Sequence, residues 1–307
     1  MSSAGTCVVT GATSGIGFEA ARILASRGRA VIGVGRDPER CATAARCLRE
    51  ATGNHTVRFE VAELSSLAEV HGLAERIRAQ APRIDVLVNN AGGFAFQRRE
   101  TVDGIEKQFA LNYLSGFLLT RLLLPAMAGW GASAHANPRA RVIMISSGSH
   151  YTGRMHWGDI GLRRFYNGLA AYDQSKLACI LFTQELARRL GPGSPISTFA
   201  ADPGLVNTQI GMKGTNTIVR LVWRLRAHRG ISPAESAATI AYLALDPLIR
   251  ERTGLYWKGC RAVAPSQRAQ DAQDAARLWE LSERLCGSWL SSGFSLTGEE
   301  ASATIPA

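Results

Sequence analysis

The stretch CVVTGATSGIGFE, residues 7–19, constrains the fold of this chain more than any other. Cys7 to Val9 form a short apolar run that is typical of a buried strand, Thr10-Gly11 ends it, and apolar residues at helical spacing resume at Ile16. A strand, a tight turn and a helix N-terminus then follow one another closely, which creates a site for a phosphate group. An ordinary glycine-rich βα turn is the alternative, because short glycine patterns are common.

Composition indicates a soluble globular protein. The chain has 307 residues, of which 46% are hydrophobic, so it can hold one large α/β domain or two small ones. The net charge is +10, but the arginines are scattered, with no basic block and no interleaved aromatic residues. We therefore expect no nucleic-acid partner.

Cysteine usage and hydropathy indicate the compartment. The six cysteines form no C-x-x-C pair and have no histidines at metal-ligand spacing, so we expect buried free thiols and no metal site. No apolar run approaches the roughly 20 residues of a membrane span. No signal peptide precedes the first strand. These features predict a cytoplasmic protein without a membrane span.

The end of the second strand favours one nicotinamide cofactor over the other. In an NAD-binding unit an acidic residue there hydrogen-bonds the ribose 2′-hydroxyl, but this chain has Gly35 and Arg36. An arginine fork pairs well with a 2′-phosphate, so we expect NADP(H) in preference to NAD(H). Asp37 precedes Pro38 and is interpreted as the cap of the next helix.

Strands and helices alternate along the first half of the chain. Apolar runs near 57–61 and 84–88 predict two further strands, separated by a helix over 66–80. A long helix is expected from Val102 to Met127, and a fifth strand over Arg141–Ile145. The connections are too long for hairpins, which predicts a parallel sheet covered by helices on both faces.

Polar residues interrupt this pattern at three places. Asn89-Asn90-Ala91-Gly92-Gly93 follows the fourth strand and suggests backbone held close to a flat ligand, although two asparagines can also simply satisfy a loop. Asn112 lies in the apolar middle of the long helix, where its amide needs partners; a satisfied core asparagine is the alternative. Ser146-Ser147 ends the fifth strand. Tyr172 and Lys176 are four residues apart and share one face of the next helix, although such Tyr–Lys pairs are also common on solvated helix surfaces.

Together these motifs resemble the classical short-chain dehydrogenase/reductase family. The resemblance runs from Thr6 to about Val263 and rests on T-G-x-x-x-G-I-G (10–17), N-N-A-G (89–92), Asn112, Ser147, Y-x-x-x-K (172–176) and P-G-x-V-x-T (203–208). The stretches LNYLSGFLLT, ISSGSH and GLYWKGC are similar to the retinol-dehydrogenase-like branch. The resemblance implies a Rossmann-type, doubly wound α/β fold with a seven-stranded parallel sheet and helices on both faces.

The resemblance also implies a role for each matched residue. The cofactor diphosphate would lie on Gly11, Ser14, Gly15, Ile16 and Gly17. Arg36 would meet the 2′-phosphate. The adenine and ribose would lie near Glu63, Leu64, Asn90, Ala91 and Gly92, and the nicotinamide near Tyr172, Lys176, Pro203, Gly204, Val206 and Thr208. The catalytic tetrad would be Asn112, Ser147, Tyr172 and Lys176.

The expected chemistry is hydride transfer between nicotinamide and a carbonyl or alcohol. A tyrosine hydroxyl ordinarily ionises at a pKa of about 10, so it needs a neighbouring cation to exchange protons near neutral pH. Lys176 would supply that cation and hold the ribose, Ser147 would polarise the substrate oxygen, and Asn112 would anchor a water. Three features depart from the branch: Glu63 replaces an aspartate, Asp202 replaces a histidine, and we expect no N-terminal membrane anchor.

The remaining segments are assigned to substrate binding and to the C-terminus. Residues 216–229 fit an amphipathic helix with a basic polar side, within a substrate flap at about 208–230. Its apolar face is expected to close on a lipophilic substrate, to pack on its own domain, or to lie on a membrane. The catalytic domain is expected over 1–263, followed by a helix to about Leu285. From Gly287 we expect a loosely ordered tail. Within this tail, Trp289, Leu290 and Phe294 are candidates for docking on the body or on a partner subunit.

We interpret the sequence as that of an NADP(H)-dependent carbonyl reductase or alcohol dehydrogenase. A catalytically silent NADP(H)-binding sensor or interaction protein on the same fold is the alternative, but such a protein would not need Ser147, Tyr172 and Lys176 together. By family analogy a homodimer or homotetramer is expected, paired through the helices that contain Asn112 and Lys176.

Overall fold

Parallel strands bring the predicted motifs to one edge of a single sheet. The computed structural model describes residues 5–128, 140–204 and 232–290. The strands are β1 (Thr6–Thr10), β2 (Ala30–Gly35), β3 (Arg58–Val61), β4 (Val86–Asn89), β5 (Ala140–Ile145), β6 (Ile196–Asp202), β7 (Leu255–Lys258) and β8 (Arg261–Val263). Their order in the sheet is β3-β2-β1-β4-β5-β6-β7-β8, and the pairs up to β6–β7 are parallel.

Helices cover both faces of this sheet. They are α1 (Gly15–Ser26), α2 (Pro38–Thr52), α3 (Leu67–Gln80), α4 (Lys107–Phe109), α5 (Ser115–Ala128), α6 (Gly168–Leu190), α7 (Pro233–Leu245) and α8 (Ala272–Leu290). One core lies between the sheet and α1, α2 and α7, and the other lies between the sheet and α3, α5, α6 and α8. The predicted Rossmann-type, doubly wound α/β fold is confirmed.

The prediction of seven parallel strands needs a correction. An eighth strand, β8, pairs antiparallel with β7 at the edge of the sheet. The two strands are joined by Gly259-Cys260, and both residues have positive φ, 54° and 59°. Positive φ at both central residues is the geometry of a type I′ hairpin turn. Asparagine and glycine are usual in such a turn, so the cysteine concealed it in the sequence.

The long helix also differs from the prediction of one continuous helix over 102–127. It begins only at Lys107, because the Glu106 side chain caps it by accepting from the N–H groups of Gln108 and Phe109. Residues Ala110–Leu114 then form a π-helical turn between α4 and α5. Such single turns are rare and occur frequently at functional sites. The predicted Asn112 lies inside this turn.

The same helix bears on the prediction that the chain has no membrane span. Within the described ranges one helical stretch, Lys107–Met127, is long and apolar enough to cross a membrane. Its most apolar window is 89% buried inside the protein. That burial is what a core helix packed between a sheet and its neighbours requires.

Helix α8 extends beyond the predicted boundary and belongs to the core. It continues to Leu290, so Gly287–Leu290 are helical and not part of a loose tail. Trp279 is buried between the guanidinium groups of Arg121 on α5 and Arg189 on α6. Trp289 packs against His71 of α3, which confirms that this end docks on the body. Phe294 lies outside the described residues.

Packing of α8 also bears on the expected assembly. It covers part of α5 and α6, the helices through which the resemblance expects subunits to pair. The oligomeric state therefore stays a prediction.

All six cysteines are free thiols; Cys7, Cys41, Cys179 and Cys286 are buried, Cys260 is half-buried and Cys47 is exposed.

Candidate active site

The glycine turn has the geometry of a phosphate cradle. Gly11 and Gly15 have φ of 66° and 60°, a conformation that side chains other than glycine rarely adopt. A Cβ at Gly17 would lie 2.4 Å from the Gly11 carbonyl oxygen and from the Asn90 amide nitrogen, so no side chain fits there. Ser14 precedes α1 and its side chain makes no capping hydrogen bond. The turn can therefore approach a diphosphate closely, at the positive end of α1.

Thr10 clamps the asparagine-containing loop onto this turn. Its Oγ1 accepts hydrogen bonds from the N–H groups of Asn90 and Ala91, both at 2.9 Å. The Asn90 side chain returns a hydrogen bond from Nδ2 to the Thr10 carbonyl oxygen at 2.8 Å. Asn90 thus satisfies loop backbone, as the simpler interpretation proposed, and it still lines the cleft. Thr10 itself was not predicted, because its role depends on a contact between two neighbouring strands.

A cleft of about 790 Å³ extends from the glycine turn along the end of the sheet. It contains eleven of the predicted cofactor residues: Gly11, Ser14, Gly15, Ile16, Gly17, Arg36, Glu63, Leu64, Asn90, Ala91 and Gly92. Its wall also includes residues that were not predicted, among them Thr13, Arg40, Phe94, Arg99, Lys107 and Leu111. A cleft of this volume with a glycine cradle and a basic end fits a phosphorylated dinucleotide.

Two arginines and one aspartate stand at the basic end of the cleft. Asp37 caps α2 as predicted, with Oδ1 accepting from the Arg40 N–H at 3.0 Å. Arg36 and Arg40 both line the cleft. The predicted helix start at Asp37-Pro38 already placed Arg40 in the first turn of α2, so this signal was available in the sequence.

Glu63 is held by its own loop. Its Oε1 accepts hydrogen bonds from the backbone N–H and the hydroxyl of Ser65, at 3.0 and 2.8 Å. Burial by itself would raise the pKa of Glu63, but the hydrogen bonds from Ser65 and the charges of Lys107 and Arg36 outweigh it and lower the pKa. The longer side chain is thus accommodated at the cleft edge as a carboxylate.

Both polar atoms of the Asn112 side chain have hydrogen-bond partners. Its Oδ1 accepts from the Gly93 N–H at 2.7 Å, and its Nδ2 donates to the Gly93 carbonyl oxygen and to Ser175 Oγ, both at 3.0 Å. These bonds fix the loop after Asn90 to α6. They also offset the cost of removing the Asn112 amide from water in an apolar helix, as the interpretation of Asn112 as a satisfied core asparagine required.

Lys176 lies between the cleft and Tyr172. It is 4% exposed, and its Nζ donates to the Ile145 carbonyl oxygen at 3.0 Å. Nζ is 5.5 Å from the centre of the Tyr172 ring, and a Cβ at Gly92 would be 3.6 Å from it. The same Cβ would be 3.2 Å from Asn112 Oδ1. The structure therefore places Lys176 and Asn112 side by side behind Gly92.

Ser147 and the Pro203-Gly204 turn follow adjacent strands. Ser147 comes two residues after β5, and its Oγ accepts from the Ser149 N–H at 3.2 Å at the start of a short 3-10 helix. Pro203 and Gly204 follow β6 directly, and the Pro203 carbonyl oxygen accepts from Ser236 Oγ. Val206, Thr208 and the expected flap at 208–230 lie outside the described residues.

The part of the chain that the structure describes contains no recognisable metal-binding site. No group of three or more histidine, cysteine, aspartate or glutamate side chains there is arranged to hold an ion.

Comparisons with known proteins identify the family of this chain. The family model of the short chain dehydrogenases matches residues 5–218. Retinol dehydrogenase 13 of Homo sapiens is 38% identical over 291 residues, covering 92% of this chain and 84% of that protein. Polyprenol dehydrogenase of Mus musculus is 37% identical over 282 residues, covering 91% and 83%.

Solved structures agree with the sequence relatives. An uncharacterized protein from Mycobacterium paratuberculosis superposes with a TM-score of 0.68 at 34% identity, covering 92% of this chain and 93% of that one. The Pseudomonas aeruginosa RhlG/NADP active-site complex superposes with a TM-score of 0.63 at 29% identity, covering 83% and 94%.

Proposed function

We propose that this chain, which belongs to the short-chain dehydrogenase family and to its retinol-dehydrogenase-like branch, is an NADP(H)-dependent oxidoreductase acting on lipophilic carbonyls or alcohols. The observation that carries the proposal is the position of Lys176. Its buried ammonium group lies behind Gly92 of the cleft wall, 3.6 Å from where a Cβ on that glycine would be, and 5.5 Å from the centre of the Tyr172 ring. A solvated Tyr–Lys pair on a helix surface would have no such burial.

The four proposed catalytic residues divide the work of the reaction. A bound nicotinamide supplies or accepts the hydride. During reduction the Tyr172 hydroxyl gives its proton to the substrate oxygen, and in the oxidation direction the phenolate takes that proton back. The positive charge of Lys176 stabilises the phenolate form of Tyr172. Ser147 Oγ donates a hydrogen bond to the substrate oxygen and so stabilises the charge that develops there.

Asn112 contributes through position in this scheme. Its hydrogen bonds to Gly93 and Ser175 fix the cleft wall against α6, the helix that carries Tyr172 and Lys176. We propose that Asn112 Oδ1 also orients the water that carries protons to Lys176, since the two side chains lie together behind Gly92.

Arg36 and Arg40 support the preference for NADP(H). Both line the same end of the cleft, where no acidic side chain ends β2. Two guanidinium groups neutralise a 2′-phosphate, whereas NAD(H) offers them only a hydroxyl. The NADP named in the RhlG complex is consistent with this choice.

An apolar ledge beside Tyr172 supports a lipophilic substrate. We define this ledge as Phe94, Phe96 and Leu169: the Phe94 ring is 5.8 Å from the Tyr172 ring and 4.6 Å from the Phe96 ring. Phe96 and Leu169 are 41% and 51% exposed, respectively. Exposed apolar side chains beside a proposed catalytic group suit the apolar part of a substrate. The relatives named retinol dehydrogenase and polyprenol dehydrogenase point to the same class.

Buried polar contacts hold the apolar ledge in place. The two N–H groups of the Gln108 amide are shared among three oxygens: Nε2 lies 3.1 Å from the Ala95 and Gly168 carbonyl oxygens and 2.8 Å from the Tyr166 hydroxyl. This one side chain therefore ties the loop of Phe96 to the start of the helix that carries Leu169. The ledge is preorganised and does not need to be assembled by substrate.

The first experiment measures NADPH and NADH oxidation with a panel of short, long-chain and polycyclic aldehydes and ketones. Tyr172→Phe is expected to lower kcat by about 10²- to 10⁴-fold, the usual contribution of a positioned acid. Tyr242→Phe, a half-buried tyrosine on α7, is the matched control and is expected to retain full activity. Tight NADPH binding without turnover of any substrate would instead favour the silent sensor.

The cofactor preference is tested separately. Arg36→Ala and Arg40→Ala are each expected to raise the KM for NADPH by about 10- to 100-fold, because a hydrogen bond to a charged group contributes roughly 1.5–3 kcal/mol. The KM for NADH should not change. Arg46→Ala, an exposed arginine on α2, is the control. Equal effects on both cofactors would refute the assignment of the 2′-phosphate to this end of the cleft.

A further inference from the structure

A buried polar network lies behind Ser147, and the chemistry proposed above does not use it. Asp202, the last residue of β6, is 3% exposed. Its Oδ1 accepts from the Gly204 N–H at 2.8 Å, and its Oδ2 accepts from the Tyr256 hydroxyl at 2.9 Å. Lys258 Nζ lies 3.5 Å from Oδ2. A carboxylate buried this deeply is stable only with such partners.

His150 connects this network to Ser147. Its ring meets the Tyr256 ring edge-on, with centroids 4.7 Å apart. Nε2 accepts from the Ser266 N–H at 3.1 Å, so Nδ1 carries the proton and donates to the Ser147 carbonyl oxygen at 2.7 Å. Burial lowers the pKa of His150, in agreement with this neutral tautomer.

Asp202 also lies directly against the turn that contains Ser147. A Cβ at Gly148 would be 3.6 Å from Asp202 Oδ2. One carboxylate thus accepts hydrogen bonds from the turn after β6 and from Tyr256 on β7, and it lies close to the turn after β5. Side chains fixed at three points in this way transmit small shifts, because packed interiors do not deform freely.

We propose that Asp202 is a positioning residue that sets the separation between the Ser147 turn and the Pro203-Gly204 turn. It holds Gly204 directly and reaches Ser147 through Tyr256 and His150. The proposal rests on the function proposed above, in which Ser147 contacts the substrate oxygen and, as the family resemblance implies, Pro203 and Gly204 lie beside the nicotinamide. Asp202 itself touches neither substrate nor cofactor in this scheme.

Variants at Asp202 separate hydrogen bonding from charge. Asp202→Ala leaves Gly204 and Tyr256 without their partner, and kcat per bound NADPH is expected to fall by about tenfold or more, since misplacement by about 1 Å costs up to 10²-fold. The Kd of NADPH, followed by its fluorescence, should change less than about threefold, because the glycine turn on α1 is untouched. Asp202→Asn keeps an oxygen for Gly204 and a polar group for Tyr256, so it should recover most of kcat. Unchanged kcat in Asp202→Ala, or no recovery in Asp202→Asn, would overturn the proposal.

Two further variants, one test and one control, keep the proposal testable if Asp202→Ala does not fold. Asp202→Glu keeps the charge and both oxygens but displaces them by one methylene, so kcat should still fall; a wild-type kcat would contradict positioning. The control is Asp246→Ala, because Asp246 Oδ1 accepts from the Leu248 N–H, the same local hydrogen bond at a place remote from the cleft. Its kcat should match that of the wild type.

A second readout does not depend on turnover. In Asp202→Ala, amide hydrogen exchange with NADP⁺ present should rise both at Gly204 and in the segment 147–153, whereas Asp246→Ala should change neither. Faster exchange at Gly204 alone would show that Asp202 and Ser147 are not coupled and would refute the proposal. Absence of any wild-type turnover would refute the proposed function, and the exchange result would still decide this one.

Discussion

The apolar ledge makes a quantitative prediction about substrate length. We would replace Phe96 by serine and measure kcat/KM with NADPH for straight-chain aldehydes of increasing length. In the wild type, each methylene that lies on the ledge should raise kcat/KM. The ledge should act on long substrates only, because Phe94 separates Phe96 from Tyr172 and a short aldehyde does not extend that far.

The size of the effect follows from burial. Burying one methylene completely is worth about 0.8 kcal/mol. Phe96 and Leu169 are about half exposed, so the ledge covers one side of a chain and leaves the other in water. A methylene on it should therefore gain about 0.4 kcal/mol, which is roughly a twofold increase in kcat/KM. Phe96→Ser should reduce this increment towards zero and leave the shortest aldehyde unaffected.

The control and the contradicting result are well defined. Val102→Ser makes the same change from apolar to polar at a side chain that is 88% exposed, and it should leave the slope unchanged. An equal loss of kcat/KM for short and long aldehydes would show that Phe96 acts on the catalytic residues and not on the substrate chain. A wild-type enzyme with no dependence on chain length would refute the ledge as a binding surface.

Three further variants test the cradle, the core and the buried histidine. Gly17→Ala places a methyl group 2.4 Å from Asn90 Nδ2, so the NADPH affinity measured by fluorescence titration should fall by at least about tenfold. The control is Gly28→Ala: a Cβ there meets nothing within 4 Å, but φ is positive, so only the stability should fall. Trp279→Ala should lower the free energy of unfolding in urea by about 3–5 kcal/mol, because it empties a site that is 1% exposed; a loss under about 1 kcal/mol would show that α8 is only loosely attached. Burial lowers the pKa of His150 from its ordinary 6.5, so the unfolded chain binds more protons than the folded one, and stability present above about pH 6.5 is lost as the pH falls. The free energy of unfolding of His150→Asn should therefore fall less than that of the wild type between about pH 7.5 and 5.5. An equal fall in both proteins would contradict the assignment.

The convergence of the motifs can be predicted from the sequence where a motif directly follows a strand. Gly11, Asn90, Ser147 and Pro203 each come at or just after the carboxyl end of a parallel strand, and such ends lie together at one edge of a sheet. The periodicity of the apolar runs therefore sufficed to predict that these residues converge. The cleft confirms the convergence for the glycine turn and the asparagine loop.

Prediction was weaker where tertiary contacts decide local structure. The π-helical turn at Ala110–Leu114 accompanies the hydrogen bonds of Asn112 to Gly93 and Ser175, and neither partner is near Asn112 in the sequence. The extension of α8 to Leu290 has a similar origin, because Trp289 packs on His71 of α3. Weak local helix signals were overridden by packing in that case.

Asp202 shows most clearly what a sequence pattern omits. From the sequence it is only a departure from the branch, where a histidine is usual before Pro203-Gly204. Its partners become visible through the register of the sheet, in which Asp202 pairs with Lys258 on the neighbouring strand and Tyr256 lies two residues earlier on that same strand. Residues an even number apart on a strand share one face, so Tyr256 and Lys258 approach the carboxylate together. An acidic residue at this position is therefore stable because β7 supplies a hydroxyl and an ammonium group, and a substitution that leaves no oxygen acceptor at position 202 should be tolerated only together with changes on β7.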